Sequence, residues 1–346
     1  MKKDTSGREM IIHAPLLTRE IMGIVLIALV PMCGTALYFF GMQGGLLLAS
    51  ALGGALAAEI LTDLVTRRFH CITDGTAAVT GLITGLLMPP GVPLWMPAAA
   101  AAAGIVIAKA LFGGTGRNFL NPAMTGKLIL LLAFQGVMRD YSYAEFSSIT
   151  PLTSLAEGNP IAIRDMILGG TSGCIGLTTP IPVLAGALVL MAAGITDIMI
   201  PLAAVLFFSG VMLLFGSHGA DPLYVLAEML GGGFLFAAFF MLQDTVTSPV
   251  SRRARFLYGA LFGIAVAVLR IFGIKENAVT FALPAVNLLA RPLDEMMMPQ
   301  PFGTKRMRSR RVLRGRKDAE EPEETEEMEE ESGFEAEENE REARET

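Results

Sequence analysis

Long apolar runs separated by short polar connections occupy most of this chain between residues 20 and 293. About 20 apolar residues cross the hydrocarbon core of a bilayer, so the runs predict an all-α polytopic membrane protein with about ten transmembrane helices. The predicted spans are 20–40, 44–65, 76–89, 94–112, 122–138, 181–197, 200–215, 223–242, 256–273 and 278–293. The third is short and ends in Met88-Pro89-Pro90-Gly91, which predicts a broken helix whose freed backbone groups are satisfied by surrounding protein.

The distribution of basic residues predicts the orientation of these spans. Lysine and arginine lie before the first span, after the second, fourth and eighth, and densely after the tenth. Ten spans put all of them on one face, whereas the opposite loops 41–43, 90–93, 216–222 and 274–277 carry only Lys275. Because cytoplasmic loops are enriched in basic residues, we expect a multi-pass protein of the cell (inner) membrane with both termini in the cytoplasm.

Residues 139–180 interrupt the alternation of apolar runs and short connections, because they are too polar to span a membrane and too long for a simple connection. Their aromatic residues and their Gly/Ser/Thr-rich second half predict an ordered loop on the outer face. The predicted parts are a cytoplasmic N-terminus 1–19, a first five-helix repeat 20–138, the outer loop 139–180, a second five-helix repeat 181–295, a basic juxtamembrane segment 296–317 and a disordered acidic tail 318–346.

Two short motifs recur weakly on the two sides of the outer loop. Asp74-Gly75-Thr76 has a counterpart in Asp244–Pro249, and Asn118–Ala123 has one in Phe281–Asn287. Five spans on each side of the loop would give the halves opposite orientations, which is the inverted-repeat plan of many transport proteins. Chance similarity between motifs of small residues is the alternative, and the sequence leaves both interpretations open.

The composition agrees with a membrane protein, since 52% of the residues are hydrophobic and only 17% are charged, against about a quarter in soluble chains. The net charge of −6 averages two unlike parts: the tail 318–346 holds 16 acidic and two basic residues, and 1–317 holds 17 acidic and 25 basic residues. We expect the basic segment to contact anionic lipid and the tail to be disordered. Nucleic-acid binding is not expected, because the arginines directly follow a membrane span.

The cysteines and histidines exclude several kinds of site. Three of each are scattered along the chain without a CxxC pair or a Cys/His cluster, so no metal site is predicted. No Ser/His/Asp set, Walker loop or HExxH motif is present, and no catalytic residue is assigned. A chain of this kind that carries electrons therefore needs an organic cofactor or one shared with a partner.

Charged residues at membrane depth are costly and usually functional. Asp74, Asp244 and Glu228 are therefore candidates for an ion pathway. Asp244 also precedes a Thr/Ser/Pro turn, so either a cap or a ligand role is open. Arg270 stands near the end of its span, where we expect its side chain to extend to the interface.

Glu59 and Asp63 are four residues apart, so both carboxylates face one side of a helix. They lie near its cytoplasmic end, and neutralisation by Arg67 and Arg68 is favoured over a role in ion binding. Lys109 is a further charged residue inside a predicted span.

Three ordered motifs resemble one known family. They are Asn118-Phe-Leu-Asn-Pro-Ala-Met124, then Ala237–Met241 with Asp244 and Thr247-Ser-Pro249, and finally Ala282–Asn287 followed by Arg291-Pro-Leu-Asp294. This series is similar to the family shared by the RnfD subunit of the Rnf electron-transport complex and the NqrB subunit of the sodium-pumping NADH:quinone reductase. The chain resembles RnfD more, because it lacks the long N-terminal extension typical of NqrB.

The resemblance implies a flavin site in the outer loop. In that family FMN is joined through its phosphate to a threonine in a D-x-x-[ST]-G-A-T-P-L-T type motif, and the matching threonine is Thr150. Ser147 fits this motif, whereas Ser148 and Ile149 replace Gly-Ala and Ala144 stands in place of Asp. The resemblance thus implies covalent FMN at Thr150. The implied cofactor-binding residues are Thr150, Ser147, Ser148, Asn118 and Asn121.

The resemblance also implies the function. The chain would be a flavoprotein subunit of a ferredoxin-dependent, ion-translocating oxidoreductase, with the other Rnf subunits and Na⁺ or H⁺ as partners and no complete active site of its own. A noncovalent riboflavin in the bundle is also compatible with it. Two alternatives stay open: a flavin-free secondary transporter or channel, suggested by the inverted motifs, and a scaffold subunit whose flavin site has decayed, suggested by the degenerate motif.

Overall fold

The computed structural model describes residues 17–66, 74–109, 118–144, 146, 149–159, 162–217, 221–244 and 246–297. These residues form helices and no strand, apart from one isolated β-bridge between Tyr143 and Phe146. They all belong to one compact unit that ends at Met297. The first part of the predicted N-terminus (1–16), most of the basic juxtamembrane segment and all of the acidic tail (298–346) lie outside the described residues.

The first half of the chain contains one long helix and several short ones. Its helices are α1 (Thr18–Thr66), α2 (Thr76–Leu86), α3 (Trp95–Gly104), α4 (Pro122–Ala133) and α5 (Gln135–Met138). A π-helix, Ile105–Lys109, continues α3. Gly41 has φ 53° and ψ −134° inside α1, a conformation that glycine tolerates and that interrupts the helix. The two predicted spans 20–40 and 44–65 therefore correspond to the two parts of α1.

The segment predicted as an ordered loop contains two short helices, α6 (Pro151–Ala156) and α7 (Ile163–Leu168). Thr150 is the N-cap of α6, and its hydroxyl accepts a hydrogen bond from the Thr153 N–H. Pro151 at the first helical position suits this start, because its missing N–H would have no partner there. Thr150 and Pro151 thus form the capped start of this helix.

The second half begins with α8 and ends with α14. Its helices are α8 (Pro180–Ala192), α9 (Met199–Phe215), α10 (Pro222–Leu230), α11 (Phe234–Phe236), α12 (Arg252–Ile271), α13 (Ala278–Asn287) and α14 (Ala290–Met297). A π-helix, Ala237–Met241, continues α11. Three glycines, Gly231–Gly233, separate α10 from α11, and the chain bends by 67° at this break.

Each of the ten predicted apolar segments contains a helix, so the all-helical class is confirmed for the described residues, and their apolar helices are consistent with a membrane protein. By length and apolarity, α1 and α12 qualify as membrane-crossing helices, and the bent pair Pro222–Leu230 and Phe234–Met241 adds a third if it is counted as one span. The number of ten crossings stays a prediction. The short third segment agrees with its predicted form, because α2 ends at Leu86 and an irregular stretch leads to α3.

Small residues let the central helices approach closely. A side chain at Gly104 would meet the carbonyl of Pro122, and one at Gly126 would meet the carbonyl of Ala100, so α3 and α4 pack backbone against backbone. Such contacts are typical of helix packing in membranes. In the second half α9 packs along α12, and α4 also contacts α13, which joins the two halves of the chain.

Candidate functional site

The structure brings four of the predicted site residues into one cavity of about 360 Å³. Asp74, Asn118 and Asn121 from the first half line it together with Asp244 from the second half. We call it the two-aspartate cavity. Lys109 also lines it. Its volume falls in the range of about 300–1,000 Å³ that is usual for small-molecule sites.

Asn121 is held in this cavity by its role at the start of α4. Its side-chain oxygen accepts hydrogen bonds from the Ala123 and Met124 N–H groups at 3.1 and 3.3 Å, as the Asn-Pro pair predicts. With the amide of Asn287 oriented to satisfy its neighbours, its oxygen accepts from the Asn121 N–H at 3.0 Å. The two halves of the chain therefore meet at this asparagine pair.

A buried ion pair closes one side of the cavity. Lys109, the last residue of the first π-helix, lies 2.5 Å from Glu59 Oε1 and donates to Thr76 Oγ1 at 2.8 Å. The predicted partners of Glu59, Arg67 and Arg68, lie outside the described residues, and the structure pairs this carboxylate with Lys109. Sequence reasoning missed the contact because the two residues are 50 positions apart.

Asp244 takes the cap role that the sequence left open, and its ligand role stays a prediction. Its Oδ1 accepts from the Val246 N–H at 3.3 Å and its Oδ2 from the Thr247 hydroxyl at 3.4 Å, so it caps the turn that follows. It also lines the two-aspartate cavity. The cap fixes the orientation of the carboxylate of a residue that lines this cavity.

Glu228, the third ion-pathway candidate, lies elsewhere. Its carboxylate is fully buried, accepts from the Tyr224 hydroxyl at 2.9 Å and lies 3.2 Å from Arg270 Nη1. Arg270 also donates to the backbone carbonyls of Glu228 and Gly231 at the break after α10. The prediction that Arg270 reaches the interface is wrong, since its side chain is 0% exposed. The broken helix leaves carbonyl groups without helical partners, and the guanidinium satisfies them.

Thr150 lines a second, smaller space, which we call the Thr150 pocket. Its volume is about 40 Å³. The Thr150 hydroxyl lies 3.0 Å from the Thr153 hydroxyl, which donates to Glu276 Oε1 at 3.3 Å. Thr150 lines this pocket and is only 3% exposed, so it is less accessible than the loop setting predicts. Ser147 and Ser148 lie outside the described residues.

Several polar residues that were not predicted also line the Thr150 pocket. Lys127 of α4 is 4% exposed and lies 3.6 Å from the Cys174 Sγ. Burial raises the pKa of the Tyr141 phenol well above its usual value, and burial likewise raises the pKa of the Glu276 carboxyl. The signal for Lys127 was present in the sequence, as a lone lysine inside the apolar run that begins at Pro122.

These features define a class: a helical membrane protein with charged side chains at a cavity between its halves and a separate polar pocket beneath a loop. The match to known proteins identifies the family. Residues 8–303 match the model of the NQR2, RnfD, RnfE family, and the chain belongs to that family.

Its relatives are named as subunits of two kinds of ion-translocating complex. The chain is 28% identical over 300 residues to the D subunit of the Na⁺-translocating ferredoxin:NAD⁺ oxidoreductase complex of Acetobacterium woodii, covering 84% of this chain and 92% of that one. It is also 28% identical over 308 residues to the D subunit of the proton-translocating ferredoxin:NAD⁺ oxidoreductase complex of Clostridium ljungdahlii, covering 83% and 92%. The B subunit of the Na⁺-translocating NADH-quinone reductase of Ectopseudomonas mendocina is 31% identical over 248 residues, covering 67% of this chain and 61% of that one.

Proposed function

We propose that this chain is the RnfD subunit of an ion-translocating Rnf electron-transport complex and that it carries covalent FMN on Thr150. The observation that carries the proposal is the family match over residues 8–303, together with the position of the Thr150 hydroxyl in a polar pocket. The match covers more of the D subunits of ferredoxin:NAD⁺ oxidoreductases than of the quinone-reductase subunit, which favours the Rnf type. Other subunits of such a complex are its expected partners.

The residues around Thr150 fit a phosphate-linked group. The Thr150 hydroxyl supplies the ester oxygen, and a buried lysine lines the same pocket. The pocket of about 40 Å³ is too small for an isoalloxazine ring, so the ring would lie beyond it. A flavin bound here would supply one- and two-electron transfer. The chain's residues hold and orient its phosphate end.

The two-aspartate cavity is our candidate for a noncovalent flavin such as riboflavin and for the coupled cation. Asn118 and Asn121 offer amide groups to a flavin, and the cavity has the volume of a small-molecule site. Asp74 and Asp244 offer carboxylate oxygens, which bind Na⁺ or take up a proton. Relatives named for Na⁺ and for protons are equally similar to this chain, so identity does not separate the two ions.

We further propose that the ten helical segments cross the membrane as two inverted sets of five, with both termini in the cytoplasm. Each half contains a short helix, a break and a helix that continues into a five-residue π-helix, at Ile105–Lys109 and Ala237–Met241. A compartment-specific reporter inserted after Gly158 tests the orientation. It should respond on the outer face, and a cytoplasmic response would contradict this topology.

Mass spectrometry of the peptide spanning residues 140–164 tests the flavin assignment directly. We expect an FMN adduct on Thr150 and a fluorescent band for the denatured chain under ultraviolet light. Thr150→Ala should abolish the band, while Thr153→Ala, which changes the neighbouring hydroxyl, should keep it. A band that persists in Thr150→Ala would place the flavin on another residue. Absence of the band in the unaltered chain would support the flavin-free transporter, or the scaffold role if redox partners still co-purify.

A further inference from the structure

Lys127 is a buried cation for which the described part of the chain supplies no anionic partner. It lies on α4, lines the Thr150 pocket and is 4% exposed. Among the described residues its hydrogen-bond partner is the Cys174 thiol at 3.6 Å. A thiol is a weak acceptor, and an ammonium group buried without a charge partner is costly. The pocket therefore contains a positive charge that its described neighbours do not neutralise.

Two threonine hydroxyls in the same pocket lack a hydrogen-bond partner among the described residues. Thr178, just before α8, is 5% exposed, and Thr280, in α13, is 1% exposed. Their Oγ1 atoms are buried and make no hydrogen bond with any other described residue. Both residues line the same pocket as Lys127. Native proteins satisfy most buried polar groups, so two such hydroxyls in the same pocket as a buried lysine indicate a site for a ligand rich in oxygen.

The other polar groups of the pocket do not oppose an anion strongly. Burial raises the pKa of the Glu276 carboxyl, so the pocket favours its protonated form more than water does. Its Oε1 already accepts a hydrogen bond from Thr153. The Tyr141 phenol stays neutral, because burial raises its pKa further. Among the described residues that line the pocket, Lys127 is the one with a cationic side chain.

The size of the pocket limits the ligand. Its volume of about 40 Å³ compares with about 10–15 Å³ for one water molecule, so it takes a group of about three heavy atoms beside the Thr150 hydroxyl. A phosphoryl group with its free oxygens meets this limit, and a flavin ring does not. Charge-assisted hydrogen bonds to such oxygens are about twice as strong as neutral ones.

We propose that Lys127, Thr178 and Thr280 form an anion-binding pocket that receives the phosphoryl group carried on Thr150. This inference rests on the proposed function, since the phosphoryl group belongs to the flavin ester. The Lys127 ammonium neutralises the single negative charge of the phosphodiester, and the two hydroxyls donate to its free oxygens. The phosphate end of the cofactor is then fixed by residues from separate segments of the chain, while its ring lies outside the pocket.

The test compares the binding of free FMN with that of riboflavin, which lacks only the phosphate. The full chain is purified in its complex from cells without the flavin-attaching enzyme, so that the Thr150 hydroxyl stays free. Quenching of flavin fluorescence gives both dissociation constants. We expect FMN to bind about tenfold more tightly than riboflavin, which corresponds to about 1.4 kcal/mol. Lys127→Met should reduce the ratio to within about twofold, and Lys127→Arg should keep most of it.

Controls separate this inference from general damage and from the proposed function. Arg164→Met alters an exposed cation on α7 and should leave the ratio unchanged. Any flavin bound in the two-aspartate cavity should contribute equally to the measured quenching in the unaltered chain and in all these variants. If Lys127→Met fails to assemble, Thr280→Val gives the same measurement. Equal affinities in the unaltered chain, or an unchanged ratio in the variant, would overturn the anion pocket. An intact FMN preference, together with no covalent band in the chain purified from cells that contain the flavin-attaching enzyme, would instead refute the ester on Thr150.

Discussion

Replacing Arg270 with methionine tests whether a fully buried guanidinium holds the break between α10 and α11 together. The variant keeps much of the apolar stem and removes the charge. It leaves the carbonyls of Glu228 and Gly231 and the Glu228 carboxylate without their donor. Breaking a buried ion pair by removing one partner typically costs about 3–5 kcal/mol, because the remaining charge stays buried.

The structure places the expected cost near the lower end of that range. Lys275 Nζ lies 3.8 Å from Glu228 Oε1, and Tyr224 donates to the same carboxylate, so Glu228 keeps partial compensation. We therefore expect Arg270→Met to lower the free energy of unfolding by about 3 kcal/mol. Adding Glu228→Gln to this variant should recover part of the loss, because the double variant no longer buries an unpaired charge.

Unfolding of the purified chain by increasing mole fractions of denaturing detergent, followed by circular dichroism, measures these differences. Arg164→Met, which alters an exposed arginine on α7, is the matched control and should change the free energy by less than about 0.5 kcal/mol. A loss below about 1 kcal/mol in Arg270→Met would mean that the guanidinium reaches the interface, as the sequence alone suggests. Strictly additive single and double variants would show that Arg270 and Glu228 do not form a pair.

Three further predictions follow from the same contacts. Because burial raises the pKa of the Glu276 carboxyl, the folded state favours its protonated form, and the free energy of unfolding should fall as the pH rises above about 4.5. Thermal scans at different pH values should show a flatter dependence for Glu276→Gln. An unchanged slope in this variant would contradict the burial of Glu276. Gly126→Ala should cost about 1–3 kcal/mol of unfolding free energy because its methyl group meets the Ala100 carbonyl, whereas Gly136→Ala, in open space, should not. Asp74→Asn and Asp244→Asn should each reduce ion-coupled transport in reconstituted vesicles, while the fluorescence of the covalent flavin stays unchanged. Normal transport in both variants would exclude the two-aspartate cavity from the ion path.

The helical segments could be predicted from the sequence because apolar runs and their breaks are local properties. The short third segment, the helix that begins after Thr150 and the helix start at Asn121-Pro122 all follow from residues within a few positions of one another. Asn121 and Asn287, which belong to the two weakly similar motifs, contact each other, but the motif similarity itself predicted no contact. Such patterns can be recognised without knowing how the helices pack.

The partners of the buried charges could not be predicted in the same way. Glu59 meets Lys109 and Glu228 meets Arg270 across 50 and 42 positions, and such pairing depends on how helices pack. The sequence shows that Arg270 lies near a helix end, which is typical of an interfacial residue. The backbone carbonyls to which it donates lie at the break after α10, outside its own helix. Lys127 was overlooked because it belongs to an apolar run and to no motif.

The two sites share a wall in the first half of the chain, and this bears on how they communicate. On α4 and at its start, Asn121 to Ala123 line the two-aspartate cavity, whereas Met124 and Lys127 line the Thr150 pocket. Six residues of helix separate Asn121 from Lys127, a rise of about 9 Å. Over that distance, at an effective dielectric constant of about 20, two unit charges interact with an energy of about 2 kcal/mol. A unit charge placed beside Lys127 would thus change the equilibrium constant for cation binding beside Asn121 by roughly thirtyfold without any movement of the helix.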